Sequence, residues 1–443
     1  MKRICCILLS VMLLLGLSGC FLEPAEGLYA VPQQPEEYYN LQSAIDEVMP
    51  EGATYASPAS GENQQSVQLA DLDGDGSDEA IVFLKTAGDY PLAMYVFDEK
   101  ADKFSLLSKA EGSGSAFDRV IYVQIDDVPG YEIVLGRQLS GEVMQMLTVY
   151  TVHDGVLTEL ASANYSQFII SDLNADGMQD VFLLRSDESA SMAIAELYCW
   201  KDGQLARERE ARGSASTAAI KRIITGYMCT GVPAVFVASE YGEGDIITDI
   251  FGFRKGVFAN LATSEEADTS VQTVRDYYVY SSDLDGDGLI ELPRLIDLPF
   301  LPGDDNSKDQ SLIRWYNLQT DGMEVSKRLT YHNYSGGWYL EIPEELASDL
   351  IVTRGEQIGN SIGYRFVLRR DNKIQLLFTI ATLTGENINT LARSAGWTTL
   401  AQKGDALYVC KLGEAAEENG LDYDTLKALF HFIHFDWNTG ETK

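Results

Sequence analysis

Three nine-residue segments constrain this chain more than anything else in it: Asp71-Leu-Asp-Gly-Asp-Gly-Ser-Asp-Glu79, Asp172-Leu-Asn-Ala-Asp-Gly-Met-Gln-Asp180 and Asp283-Leu-Asp-Gly-Asp-Gly-Leu-Ile-Glu291. Each places oxygen-bearing side chains at positions 1, 3, 5 and 9, with glycine at position 6. A short loop wraps a hard cation in this way. Alternating residues turn their oxygens inward, position 7 offers its backbone carbonyl, and glycine permits the tight turn. Carboxylates about 5 Å apart in one loop would repel by up to ~3 kcal/mol per pair at an effective dielectric near 20. A bound calcium ion relieves that repulsion; the alternative is three acidic surface turns that bind nothing.

The loops open like an EF-hand but close differently. An EF-hand ends on a bidentate Glu at position 12, between two helices. Here position 12 is Val82, Leu183 and Arg294, and the closing carboxylate comes at position 9. The flanks are apolar and β-prone, as in Val67-Gln-Leu-Ala70 before the first loop and Ala80-Ile-Val-Phe-Leu84 after it. These are strand–loop–strand units. Aligning on position 9 exposes two copies poor in ligands: Glu132 anchors a shortened loop, and Pro233 marks one with almost no carboxylates. The anchors at 79, 132, 180, 233 and 291 are 53, 48, 53 and 58 residues apart. A period near fifty suits one four-stranded blade of a β-propeller. The expected fold is therefore mainly β, with about five four-stranded blades over 55–335 and a smaller α+β domain over 336–443. Loaded and degenerate loops alternate along the chain.

The three loaded loops resemble the calcium-binding repeats of the FG-GAP and VCBS type, found in integrin-like propellers and many bacterial surface proteins. The resemblance covers roughly two-thirds of the chain. It implies that Asp71, Asp73, Asp75 and Glu79 ligate one calcium ion, and Asp172, Asn174, Asp176 and Asp180 a second. Asp283, Asp285, Asp287 and Glu291 would ligate a third, and the carbonyls of Ser77, Met178 and Leu289 would complete the three shells. The Phe-Gly and Gly-Ala-Pro tripeptides of that family are not cleanly present. A closed ring, an open arc, and a sixth blade completed from the N-terminal segment or from part of the C-terminal region all remain compatible with the sequence.

Residues 1–19 read as a lipoprotein signal peptide. Met1-Lys-Arg3 is a basic start, Ile4 to Leu17 is apolar but short for a span, and Leu17-Ser-Gly-Cys20 puts small residues before a cysteine. The expectation is lipidation of Cys20 and anchoring on a bacterial membrane, outside the cytoplasm. Residues 20–54 then hold the lipidated cysteine, a tether rich in Pro, Glu and Gln, and a short helix carrying Leu41, Ile45 and Val48 on one face. The net charge of −34 repels nucleic acid and anionic headgroups, so nucleic acid is not an expected partner. Once the leader has gone, Cys199, Cys229 and Cys410 remain, too few and too scattered for a disulfide framework. Buried free thiols are expected, with a Cys199–Cys229 bridge as the alternative.

From about Gly337 strand patterns continue without calcium loops, and Glu386 to Ala395 and Tyr423 to Phe435 read as helices. The catalytic inventory is thin. His153 falls in a hairpin turn, His332 beside the domain boundary, and His431 and His434 on the last helix, where they read as polar interface residues. No His-Glu-x-x-His, Gly-x-Ser-x-Gly or phosphate-cradling glycine loop is present. The sequence therefore points to a calcium-binding surface lipoprotein that acts as a non-catalytic scaffold for a protein or glycan ligand, with no catalytic residues. The competing expectation is an extracellular polysaccharide hydrolase or lyase carried on a propeller, which would need a cleft with convergent carboxylates.

Overall fold

The structure is a computed structural model. It describes residues 36–434 apart from 101–102, 141–143, 188, 190, 265, 278, 359–360 and 372. The expected leader, Cys20 and most of the tether lie outside the described residues. The expected short helix is α1 (Glu36–Val48).

Six antiparallel sheets follow one another along the chain. The first holds β1 (Thr54–Tyr55), β2 (Val67–Ala70), β3 (Glu79–Lys85), β4 (Leu92–Lys100) and β5 (Lys103–Gly112). The second is β6 (Ala116–Val123), β7 (Glu132–Ser140), β8 (Met144–His153) and β9 (Val156–Tyr165). The third is β10 (Gln167–Ser171), β11 (Asp180–Ser186), β12 (Ala193–Lys201) and β13 (Gln204–Arg207), with β14 (Ala211–Arg212) added beside β12. The fourth is β15 (Ile220–Tyr227), β16 (Pro233–Tyr241), β17 (Asp245–Arg254) and β18 (Val257–Asn260). The fifth contains β19 (Leu292–Asp297), β20 (Ser311–Leu318), β21 (Glu324–Asn333) and β22 (Trp338–Ile342). The sixth contains β23 (Leu350–Ile358), β24 (Ser361–Arg370) and β25 (Lys373–Leu383), then β26 (Thr398–Lys403) and β27 (Ala406–Leu412) after helix α2 (Ile388–Ser394). Helix α3 (Tyr423–Leu429) leads into β28 (Phe430–Phe432), which returns to pair with β22. The protein is thus mainly β, a propeller-like succession of antiparallel blades followed by a smaller α+β unit.

Sheet packing explains why the second strand of each of the first four blades carries a continuous apolar run and not an alternating one: both of its faces are buried. In β3, Ile81 and Phe83 face the second sheet, where Phe83 and Phe117 meet edge-on at 5.0 Å. Ala80, Val82 and Leu84 face the other way, onto Leu41 and Ile45 of α1. The pattern passes from blade to blade. One apolar cluster joins sheets two and three, the next joins three and four through Phe182, Phe251 and Phe258, and another joins four and five. The fifth and sixth sheets share the largest cluster, which includes Tyr331, Trp338, Phe366 and Phe378. The outer face of the sixth sheet is covered by Ile388 and Ala392 of α2. Among the described residues no apolar cluster joins the first and sixth sheets. Each terminal face carries a helix instead, as in a capped array.

Three features depart from the sequence reading. Trp338–Ile342 pairs with β21 and so completes the fifth blade. The last helix ends at Leu429, and Phe430-His-Phe432 is a strand because its period is two: Phe430 and Phe432 both pack on Tyr408, while His431 stacks on Tyr339 at 4.9 Å. His431 and His434 therefore do not share a helical face. In the fifth blade the first strand is reduced to an isolated Ser282–Glu291 bridge.

Ile45 is 2% exposed against β3 and β4. Ile45→Ala should lower stability by about 2–5 kcal/mol, read by urea denaturation followed by far-ultraviolet circular dichroism. A loss below about 1 kcal/mol would mean that α1 is not a cap the first blade needs.

Candidate metal loops

Each acidic loop lies between the first and second strands of a blade, or at the reduced equivalent in the fifth, so all three have the same local frame. The position-9 carboxylate is at the strand junction and is buried: Glu79, Asp180 and Glu291 are each 1% exposed. Each accepts the backbone N–H of loop position 2. The distances are 2.7 Å from Leu72 to Glu79, 2.9 Å from Leu173 to Asp180 and 3.0 Å from Leu284 to Glu291. Position 1 repeats as closely, since Asp71, Asp172 and Asp283 accept the N–H of the position-6 glycine at 3.1, 2.9 and 2.9 Å. Those glycines, Gly76, Gly177 and Gly288, have φ between +83° and +92°, a conformation that costs glycine little and other residues more.

In the first and third loops the carboxylates converge. Ligand oxygens of Asp71, Asp73 and Glu79 lie within 4.8 Å of one another, as do those of Asp283, Asp285 and Glu291. Two oxygens on opposite sides of one calcium ion are separated by about twice 2.4 Å, so these clusters fit a single ion. Asp75 and Asp287 each accept the N–H of position 7, from Ser77 and Leu289 at 2.8 Å. In the second loop Asn174 replaces the middle acid, and its Nδ2 donates to Asp176 at 2.8 Å and to Asp180 at 3.4 Å. Met178 donates to Asp176 at 2.9 Å.

Register brings in groups that the loop motif did not contain. The residue facing the anchor on the third strand is Asp98 in the first blade, Thr151 in the second, Cys199 in the third and Asn317 in the fifth. Asp98 is 7% exposed, lies near enough to Glu79 to raise its pKa, and pairs with Lys100 at 2.6 Å. Asn317 donates to Glu291 at 3.0 Å, while its own Oδ1 is buried with no hydrogen-bond partner. An oxygen without a donor beside a buried carboxylate suits a cation. A constant spacing marks the first three of these residues, each 19 positions after its anchor. Cations already touch the third loop: Arg328 reaches Asp285 at 2.9 Å and Lys327 reaches Asp287 at 3.5 Å.

The degenerate second loop satisfies its anchor with protein donors. Glu132 is buried and accepts N–H groups from Ile125 at 2.6 Å and Asp126 at 3.1 Å, and the Thr151 hydroxyl at 3.1 Å. His153 Nε2 lies 3.0 Å from Asp126. His153 is the last residue of β8 and pairs with Val156 across the Asp154-Gly155 turn, in the hairpin where the sequence placed it, and its side chain also reaches the loop cluster. Cys199, Cys229 and Cys410 are free thiols. His332 lies on β21 and is half-buried, and desolvation of its ring pulls its pKa down to about 3, so it is a neutral imidazole near neutral pH.

Burial dominates the electrostatics of the anchors. It pushes Glu79 up to about 7, reinforced by Asp73, Asp98 and Asp75 and opposed by the Leu72 N–H. Burial likewise pushes Asp180 up to about 6 and raises Glu132 and Glu291. Without a cation these carboxyls hold their protons to higher pH than exposed ones do.

No family model matches the chain, and no curated protein matches it. Among solved structures it is similar to the exotype rhamnogalacturonan lyase YesX, at 13% identity over 69% of this chain and 62% of that one, with a TM-score of 0.25. A rhamnogalacturonan lyase of Bacillus licheniformis, PL11, is 12% identical over 81% of this chain and 72% of its own, with a TM-score of 0.25. Saccharomyces cerevisiae Sqt1 is 9% identical over 72% of this chain and 85% of its own, with a TM-score of 0.28. Likenesses at these TM-scores carry no argument about activity.

The raised anchors fix the sign of a pH effect. Below pH 4.5 Glu79 is protonated in both folded and unfolded chains. Between 4.5 and about 7 the unfolded chain ionises first, so stability is lost as pH rises through that window. In EDTA the melting temperature should therefore fall between pH 5 and pH 8, and Glu79→Gln should make the fall shallower. An unchanged slope in Glu79→Gln would exclude Glu79 as a contributor.

Proposed function

We propose that this chain is a calcium-binding lipoprotein, anchored through Cys20 on the outer side of a bacterial membrane, whose blades form a rigid non-catalytic scaffold for a protein or glycan ligand. The observation that carries the reading is the repeated loop geometry. The same position-1 and position-9 carboxylates make the same backbone hydrogen bonds in three blades, and oxygens converge on one point in two of them. This supports FG-GAP or VCBS-type repeats as the family kinship. Calcium is favoured because every donor is a hard oxygen and the loops offer backbone carbonyls at Ser77, Met178 and Leu289. In the first loop Asp71, Asp73, Asp75 and Glu79 would hold the ion. Asp172, Asn174, Asp176 and Asp180 would serve in the second, once the Asn174 amide turns its oxygen inward. In the third, Asp283, Asp285, Asp287 and Glu291 would hold the ion beside Arg328. Among the described residues no helix is long and apolar enough to cross a membrane. Membrane attachment in this reading rests on the leader and Cys20.

The alternative, a polysaccharide hydrolase or lyase, has one observation in its favour. A hollow of about 320 Å³ beside β19, β20 and β21 is lined by Asp276, Asp297 and Asp309 together with Tyr277, His332 and Tyr334. His332 is a poor proton carrier near neutral pH, because burial keeps it neutral. Chain scission in a panel of acidic and neutral polysaccharides, lost in Asp297→Asn, would favour this enzyme over the scaffold.

Native mass spectrometry of residues 21–443 should show three bound calcium ions, and EDTA should lower the melting temperature. At free calcium 100 times the dissociation constant, each site adds about 2.7 kcal/mol to stability. Asp71→Asn with Asp73→Asn should remove one ion and leave two. No bound calcium and no shift on chelation would leave the loops as acidic turns and end this reading.

A further inference from the structure

We propose that the hollow between the first strands of blades two, three and four is an oxyanion-binding site, which takes a small ligand carrying carboxylate or sulfate groups. The inference rests on the scaffold reading and deepens it by naming the ligand's chemistry. The hollow measures about 600 Å³, within the range of small-molecule sites. Its wall carries Arg119 from β6 and Lys221 and Arg222 from β15, and no lining residue is acidic. The whole chain has 67 acidic residues against 33 basic ones, so a wall lined by three basic residues and no acidic one runs against the composition. Gln167 and Thr225 add hydrogen-bonding groups at exposed positions, and Ile223 adds apolar surface.

The cations are held in place. The Arg119 guanidinium lies 3.8 Å from the centre of the Phe168 ring, and its Nη2 donates to the Phe168 carbonyl at 2.8 Å. Its Nε is buried with no hydrogen-bond partner. A planar fork fixed over an aromatic ring, with a donor unused, is suited to a carboxylate or sulfate. Burial also pulls the Arg119 pKa below its ordinary value, a cost that a bound anion would offset. Arg222 is 7% exposed at the wall. Lys221 is more open and pairs with Glu240 at 3.1 Å, an exposed pair whose rearrangement costs little. The net charge of −34 repels anions from the molecule as a whole. Anion binding here would therefore report local cations and not a general attraction.

The test is isothermal titration of residues 21–443 in calcium buffer with three probes: a disaccharide carrying two uronate carboxylates, its neutral dimethyl ester, and a disulfated disaccharide. Binding of either anion but not of the ester is expected, and the preferred anion identifies the carboxylate or the sulfate as the group recognised. Lys221→Gln should weaken binding about tenfold, the loss expected for one charge-assisted hydrogen bond, with the melting temperature and calcium response unchanged. Arg119→Gln should weaken it further. No binding of either anion, equal binding of the ester, or no effect of both substitutions would overturn the proposal. If the calcium response persists while the anions fail, only this inference falls. Anion binding without any calcium response would instead remove the calcium reading and leave the hollow.

Discussion

A buried carboxylate at the start of a blade's second strand holds each loop to its sheet, and the rest of the loop chemistry depends on it. Glu79, Glu132, Asp180 and Glu291 all take the N–H of the residue seven positions earlier, at 2.6 to 3.0 Å. That bond closes the loop and draws the apolar residue at position 2 inward; Leu72, Ile125 and Leu173 are 0–1% exposed, and Leu284 is half-buried. The loop is thereby plugged into the core whether or not it holds an ion. The cost is a desolvated carboxyl, visible in the raised anchors. Where Pro233 replaces the carboxylate, the preceding apolar residue Met228 is still buried, and its N–H goes to the Val232 carbonyl instead. The plug is general, and the carboxylate is the version of it that can also ligate.

This gives a physical account of the alternation of loaded and degenerate loops. The first loop lies directly against the second: Tyr131 donates to the Asp71 carbonyl at 3.0 Å, and a side chain at Gly74 would run 2.5 Å from the Pro129 backbone. The fifth blade's loop lies against the fourth blade, with Tyr227 donating to the Gly288 carbonyl at 2.9 Å and accepting from Ile290 at 3.0 Å. Two fully acidic loops in such contact would bring six or more carboxylates together, at a repulsion of up to ~3 kcal/mol per close pair. A neutral or self-satisfied loop between two acidic ones removes that conflict. In the second blade Thr151 donates to Glu132 and His153 lies 3.0 Å from Asp126, where a cation would sit in the proposed metal loops.

The parts of the molecule legible in the sequence are those fixed by local rules. The loops, their strand flanks and the period near fifty residues follow from side-chain spacing, and a mainly β succession of antiparallel sheets follows from them. Asp98, Thr151 and Asn317 were missed because they reach the loops through strand register, which no single segment displays. The 19-residue offset from anchor to partner was the available clue in the first three blades. His431 was misplaced because Leu426, Leu429, Phe430 and Ile433 fit a helical face as well as Phe430 and Phe432 fit a strand. Pairing with β22 decides the matter, and that strand is some ninety residues away. The cationic hollow was equally hidden, since Arg119 and Lys221 are separated by a hundred positions and meet only because first strands converge.

Among the described residues no apolar cluster joins the first and sixth sheets and both end faces carry helices, so the packing that holds the blades together resides in the junctions between neighbours. Each junction is reinforced in its own way. The first loop bridges blades one and two, and the third blade's loop reaches blade two through Gln179 and the Gln124 carbonyl at 3.2 Å. The fifth blade's loop bridges to blade four. The junction of blades three and four has no acidic loop. It has instead a buried Asp249 that accepts from Ser214, Asn260 and Ser270 at 2.5 to 2.8 Å, with Asn260 also donating to the Arg212 carbonyl at 3.3 Å. The junction of blades five and six relies on aromatic packing around Trp338 and Phe366. Every loaded loop thus lies across a junction, and the two junctions without one have a polar network or a large apolar core. A cation bound in these loops would therefore stiffen the contacts between neighbouring blades.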